Sequence, residues 1–529
     1  MHVDEMKIEA GLKPGKVPES GVPAHRARAI MVQGTMSNAG KSLLVAGLCR
    51  IFHEDGYRVA PFKAQNMALN SFITDEGLEM GRAQVVQAEA AGIAPDARMN
   101  PILLKPTTDV GSQVIVRGVA QGNMTARAYY RSKKALLPVV RETYASLASE
   151  YDIIVIEGAG SPAEVNLRED DLVNMGMAAI ADAPVLLVGD IDRGGVFAQL
   201  LGTIELLEPE ERARIRGLII NKFRGDKTIL DPGLDILEAR TGKAVLGVVP
   251  YADVDIEDED SLASSLEETH IQAEIDVAGI RFPRISNFTD MQALSMERDV
   301  SVRYVTKPSE LGEPDVILLP GTKNTIQDLL WLRESGLEAK ITRLAKKGTI
   351  VFGICGGYQM LGESLMDPLQ TESALGSVRG MGLLPVTTVF EEEKQLENRA
   401  YRIGMLEGNF VSLSNKKIAG YEIHMGRTEV AGKTTTPIYP FVSDSAGTVL
   451  GYTAGTVAGS YIHGIFDEIA FREAFIELLY ARKRKTRGES EHLTLQEYRE
   501  QQFDKLAQVL RESLDMEKIY EILGLIKQG

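Results

Sequence analysis

Cysteine, tryptophan and histidine are scarce in this chain of 529 residues, with two, one and seven copies. Two cysteines, Cys49 and Cys355, cannot build a disulfide framework, and their scarcity fits a reducing cytoplasm. No apolar run approaches the roughly 18 residues of a spanning helix, so no membrane partner is expected. Positive charge is also in deficit. The 58 Lys and Arg face 74 Asp and Glu, a net −16, which argues against nucleic acid as the main partner. Residues 1–27 mix charge with Pro and Gly and lack an apolar core, so they read as a flexible extension and not as a secretory signal.

What is present is globular: 44% hydrophobic and 25% charged residues, in a chain long enough for two large domains. The strand-like run 29–33 leads into Gly34-Thr35-Met36-Ser37-Asn38-Ala39-Gly40-Lys41-Ser42, and a helical pattern through Leu43, Leu44, Ala46, Leu48 and Cys49 follows. Strand, glycine loop, Gly-Lys-Ser and helix form the setting of a phosphate-binding loop. Backbone N–H groups meet the anion, Lys41 reaches the outer phosphates, and the Ser42 hydroxyl is a Mg²⁺ ligand. Five residues stand between Gly34 and Gly40 where the usual motif has four. Cys49 reads as core.

Five further apolar strands, near 57–62, 151–156, 183–188, 216–220 and 244–249, alternate with helical segments. That rhythm predicts a parallel sheet covered on both faces, with ligands at the strands' C-terminal ends. Lys63, Glu157, Asp190, Asp192, Asn221 and Lys222 all stand at such ends. Glu157 is positioned to hold Mg²⁺ opposite Ser42.

An acidic run, Asp253 to Asp260 and on through Glu267 and Glu268, breaks the rhythm and reads as a linker over 253–273. A second α/β pattern follows over 274–482. Within it, Thr349-Ile350-Val351-Phe352 precedes Gly353-Ile354-Cys355-Gly356-Gly357 and a short helix, the pattern of a nucleophile elbow with a thiol nucleophile. Gly321 to Asn324, after another buried strand, is a candidate source of a second oxyanion N–H. Only His424 and His463 lie in this half beyond Cys355, and spacing does not choose between them. The fold class expected is α/β: two doubly wound, mainly parallel domains, 28–252 and 274–482. A helical tail, 483–529, is expected to pack on the second domain or on another copy of the chain. Monomer and homo-oligomer both remain open.

Leu319-Pro320-Gly321, Gly353 to Gly362 and Tyr461-Ile462-His463-Gly464 resemble the class I glutamine amidotransferases. The resemblance implies that Cys355 attacks the side-chain amide of glutamine and that His463 is the base. It also implies a glutamate at 465, where this chain has Ile465, and Glu422 is the candidate substitute. The loop 34–42 shares its extra residue with dethiobiotin synthetase-like proteins. With the runs Phe62 to Ser71, Glu157 to Ser161, Gly189 to Gly195, Arg281 to Asp290 and Tyr421 to Thr428, the chain from about 28 to 482 resembles the cobyric acid synthase family.

That likeness implies MgATP, glutamine and adenosylcobyrinic acid a,c-diamide as reactants, with amidation at the b, d, e and g carboxylates. Thr35, Ser37, Asn38, Ala39, Gly40, Lys41 and Ser42 would hold ATP, Asn221 would meet adenine, Ser42 and Glu157 would bind the metal, and Lys63 would steady the transferring phosphoryl group. Two alternatives share parts of this plan: the synthase that makes the a,c-diamide, and a P-loop switch with a glutamine-sensing domain. The Lys63 to Ser71 run favours the first reading over the diamide synthase. Met36, standing where partition-type switches carry a signature lysine, speaks against the switch.

Overall fold

The computed structural model describes residues 27–108, 111–256, 273–373, 375–432, 435–488 and 493–525. The extension 1–26 and most of the acidic linker, 257–272, lie outside the described residues. The six expected strands of the first half are all there. They form one parallel sheet in the order Val245–Pro250, Ile215–Phe223, Val185–Asp190, Arg28–Gly34, Ile153–Glu157, Val59–Phe62. The central strands are apolar and buried from end to end because helices cover both faces. The P-loop strand Arg28–Gly34 lies between Val185–Asp190 and Ile153–Glu157, so its loop opens beside Glu157.

Between the strands Val59–Phe62 and Ile153–Glu157 the chain makes an excursion whose short, polar strands carry little periodic signal. Gln65–Met67, Ile102–Thr108, Gly111–Val116 and Val119–Thr125 form a small sheet, and Ser71–Ile73 pairs with Glu79–Gly81 as a hairpin.

The second half builds a larger sheet. Val300–Val305, Ile275–Ile280, Val316–Leu319, Ile350–Ile354 and Val457–Ser460 run parallel, and an antiparallel wing begins at Val449–Ala454. The parallel part carries the cysteine elbow between Ile350–Ile354 and the helix Gly356–Met360.

The tail is helical, over Leu495–Ser513 and Met516–Ile522, but its position corrects the expectation. It packs on the first half, against the P-loop helix Lys41–Glu54. Phe503, Leu506, Leu510, Ile519 and Tyr520 enter the same apolar cluster as Leu44, Leu48 and Phe52. Gly47 makes the approach feasible, since a Cβ there would come within 2.3 Å of Leu510 Cδ1. A bridge between Gly247 and Leu514 then covers the outer edge of the first sheet. The amphipathic pattern of the tail marks a buried stripe and is silent on which wall receives it.

Candidate functional site

The predicted site residues fall into two groups, one in each half of the chain. At the first, Gly40 has φ 87° and caps the helix Lys41–Glu54. A Cβ at Gly40 would sit 2.2 Å from Asn221 Nδ2, so only glycine fits. Asn221 Nδ2 donates to Ala39 O (2.9 Å), and Lys222 Nζ donates to Asn38 O (2.6 Å) and to Asp190 Oδ2 (3.0 Å). Thr35 Oγ1 donates to Gln199 Oε1 (3.1 Å), and Ser37 is exposed at the crest of the loop. Lys41 Nζ reaches back to the carbonyl oxygen of Met36 at 3.0 Å.

Glu157 is the hub of this site. Its Oε1 accepts from Ser42 Oγ and from Lys63 Nζ, both at 2.8 Å, and its Oε2 accepts from Gln87 Nε2 at 2.6 Å. A buried carboxylate beside a hydroxyl is an all-oxygen donor pair, which suits a hard cation that keeps its waters and shares phosphate oxygens. Ser42, Lys63 and Glu157, far apart in sequence, are thus brought together. Gln87 is a member that sequence reasoning missed, and its setting on an unremarkably patterned helix left no signal.

At the second site Cys355 has φ 52° and ψ −110°, a strained setting for a residue with a Cβ. Such strain is the mark of a nucleophile elbow. Its Sγ lies 3.6 Å from Ile423 O, and His463 lines the same cavity. His463 Nδ1 lies 2.8 Å from Asp290 Oδ2, and the Gly464 N–H donates to Asp290 Oδ1 at 2.7 Å. Burial pulls the imidazole down, but the Asp290 carboxylate and Cys355 more than offset it, and the pKa is raised to about 10. Gly321 flanks the ring closely, since a Cβ there would come within 2.9 Å of His463 Cε1. The Thr322 and Gly356 backbones are neighbours beside the thiol, as an oxyanion hole requires.

Glu422 is not the substitute for a residue-465 glutamate. Its Oε2 faces His424 Nε2 at 3.1 Å and its Oε1 accepts from Tyr401. His424 Nδ1 lies 2.9 Å from Gly426 O, and the ring stacks on Tyr461 with centroids 3.7 Å apart, so both its nitrogens serve the wall of the site. Strand Lys417–Val430 sends His424 and Glu422 to each other, whereas Asp290 reaches His463 from the turn Phe288–Met291. Asp290 closes the Arg281 to Asp290 run, and membership of that run was the signal available. The cavity at Cys355 is lined by Thr325, Gln359, Glu372 and His463, and also by Lys105 from the first half. Glu372 is half-buried there, its Oε2 accepts from the Thr325 N–H at 2.7 Å, and desolvation raises its carboxyl to about 7.

A phosphate-binding loop joined to a cysteine–histidine–carboxylate site defines an ATP-using enzyme of the glutamine amidotransferase class. Residues 30–263 match the family described as CobQ/CobB/MinD/ParA nucleotide binding domain, and residues 276–471 match the CobB/CobQ-like glutamine amidotransferase domain. Cobyric acid synthase of Lachnoclostridium phytofermentans is 56% identical over 511 residues, covering 94% of this chain and 99% of its own. That of Alkaliphilus metalliredigens is 53% identical over 504 residues, covering 93% and 99%. A solved glutamine amidotransferase structure aligns with 38% of this chain and 98% of its own, at 14% identity and a TM-score of 0.30. The chain belongs to the cobyric acid synthase family, the glutamine-dependent amidating enzymes of cobalamin biosynthesis.

Proposed function

We propose that this chain amidates the b, d, e and g carboxylates of adenosylcobyrinic acid a,c-diamide, with glutamine as nitrogen donor and MgATP as activator. The observation that carries the reading is the cavity at Cys355. It unites Cys355 and His463 with Lys105, so the pocket of the thiol is closed in part by the half that carries the P-loop.

In the glutaminase step the Cys355 thiolate adds to the glutamine carboxamide carbon while backbone N–H groups near Thr322 and Gly356 hold the oxyanion. His463, kept charged by Asp290, gives its proton to the departing nitrogen, and ammonia leaves as the C–N bond breaks. A water deprotonated by His463 then cleaves the glutamyl thioester, releasing glutamate and restoring the thiol.

In the synthetase step Lys41 and the amides of Thr35 to Ser42 hold the nucleotide phosphates. Asn221, whose amide nitrogen is occupied by Ala39, meets the base through its amide oxygen. Ser42 and Glu157 would hold a magnesium ion, which would supply positive charge to offset that of the phosphates. Lys63, in contact with Glu157, follows the γ-phosphoryl group to the corrinoid carboxylate. Ammonia displaces phosphate from the resulting acyl phosphate and leaves an amide. Incubation with glutamine, MgATP and the corrinoid diamide tests the reading: four successive carboxylate-to-amide mass decrements are expected. ATP turnover with an unchanged corrinoid mass contradicts the substrate.

A further inference from the structure

The catalytic histidine of the second half is held on two sides by one hairpin of the first. The hairpin is Ser71–Ile73 paired with Glu79–Gly81. On one side, the Ser71 N–H donates to Asn287 Oδ1 at 3.1 Å and the Asn287 N–H donates to Asn70 Oδ1 at 2.8 Å. This reciprocal pair is buried. Asn287 has φ 51°, and its carbonyl accepts from the N–H of Asp290 at 3.4 Å, so it opens the turn that presents Asp290 to His463. On the other side, Ile73 packs with Tyr421 and Ile423, and Phe72 meets the Tyr421 ring edge-on at 5.7 Å. Tyr421 in turn stacks on His463 with centroids 5.2 Å apart and planes 20° from parallel.

The hairpin has its own rigid root. Ser71 Oγ donates to Glu79 Oε1 at 2.8 Å, and Lys105 Nζ donates to both, at 2.9 Å each. All three side chains are buried, where a bonded network of charge and hydroxyl fixes one arrangement. A root this well bonded transmits position to its tip. Neither the imidazole nor the carboxylate that charges it is therefore held by the second half alone.

We infer that Asn70, Ser71 and Phe72 of the nucleotide-binding half are positioning residues for the glutaminase reaction, setting the His463–Asp290 geometry across the seam. The inference rests on the reading of Cys355 and His463 as the glutaminase pair. Reactive geometry is steep in distance, so a small loosening at the turn costs rate without costing glutamine affinity.

Two variants of Asn287 test it in the full chain. Asn287→Gly removes the acceptor for Ser71 yet keeps the backbone conformation, while Asn287→Asp keeps an acceptor there. For Asn287→Gly the expected result is a fall of roughly tenfold or more in glutamine-dependent kcat, with little change in glutamine KM. The alkaline limb of its pH profile moves to lower pH, because an imidazole less well held by Asp290 loses its proton sooner. Ammonia-driven amidation stays at the parent rate, and Asn287→Asp recovers most of the glutamine rate. A parent kcat and pH profile in Asn287→Gly overturns the inference, as does a rise in KM alone, which would make Asn287 a glutamine contact. Loss of the ammonia-driven rate as well overturns it too, since the damage is then to the fold. Cys355→Ala run alongside separates the two layers. If it retains glutamine-dependent turnover, the glutaminase reading itself fails. If it is inactive with glutamine while Asn287→Gly behaves as parent, only the hairpin's role fails.

Discussion

Asp290 Oδ2 and His463 Nδ1 lie 2.8 Å apart although 173 residues separate them in the chain. The carboxylate that amidotransferases of this class draw from two residues beyond the histidine is supplied here from a turn before the elbow, and Ile465 is left to the core. On the function proposed for this pair the substitution preserves the chemistry, because what the imidazole needs is a buried negative charge on its far nitrogen, whatever its origin in sequence.

Asp290→Asn keeps the shape and removes the charge. Glutamine-dependent turnover falls by about a hundredfold or more, by analogy with other catalytic histidines deprived of their carboxylate. Ammonia-driven amidation persists. Steady-state rates with each nitrogen source make the comparison.

The same pair imposes a pH dependence on stability. The His463 pKa is raised from 6.5 to about 10, so the protonated imidazole contributes fully below about 6.5, and the contribution is lost as pH rises through 10. Urea midpoints measured from pH 6 to 10 should fall across that window in the parent chain. The fall should be much shallower in Asp290→Asn, whose buried histidine stays neutral.

Gly40 leaves no room for a side chain against Asn221. Gly40→Ala combines that clash with a positive φ and should weaken nucleotide binding about tenfold or more, or ~1.4 kcal/mol. Calorimetric titration with a non-hydrolysable ATP analogue reads it, and glutamine hydrolysis at Cys355 should survive.

Much of this arrangement was legible beforehand, for physical reasons. Strands buried on both faces must be apolar throughout, so the six strands of the first sheet and the elbow strand Ile350–Ile354 announce themselves. The P-loop and the elbow are local, each needing its glycines and its reactive residue within one turn of chain. The choice between His424 and His463 is not local. It depends on which strand end the tertiary fold turns toward Cys355, and Asp290 is further still from any spacing rule. The excursion over 65–125 hid because its strands are short and its interior polar: Ser71, Glu79 and Lys105 are buried and bonded to one another, Asn66 is bonded to Gln84 and Asn70 to Asn287, a pattern that reads as surface. Glu422 was misread for a related reason, since a carboxylate near one histidine in sequence says nothing of the other.

The helical tail should matter to the first half. Leu510 is fully buried against the P-loop helix, and Leu510→Ala should cost about 2–5 kcal/mol. The ion pairs of Arg50 with Glu500 and Asp504 border solvent, and Glu500→Gln should cost about 1 kcal/mol or less. Urea unfolding of the two variants, followed by a probe on the nucleotide-binding half, checks both.

On the proposed function, ammonia released at Cys355 reaches a carboxylate activated at the P-loop. The most direct test of that transfer is the corrinoid mass after incubation of Cys355→Ala with MgATP and the corrinoid diamide, once with glutamine and once with ammonium. No amidation is expected with glutamine, and full amidation with ammonium. Amidation from glutamine without the Cys355 thiol, or none from ammonium, would contradict it.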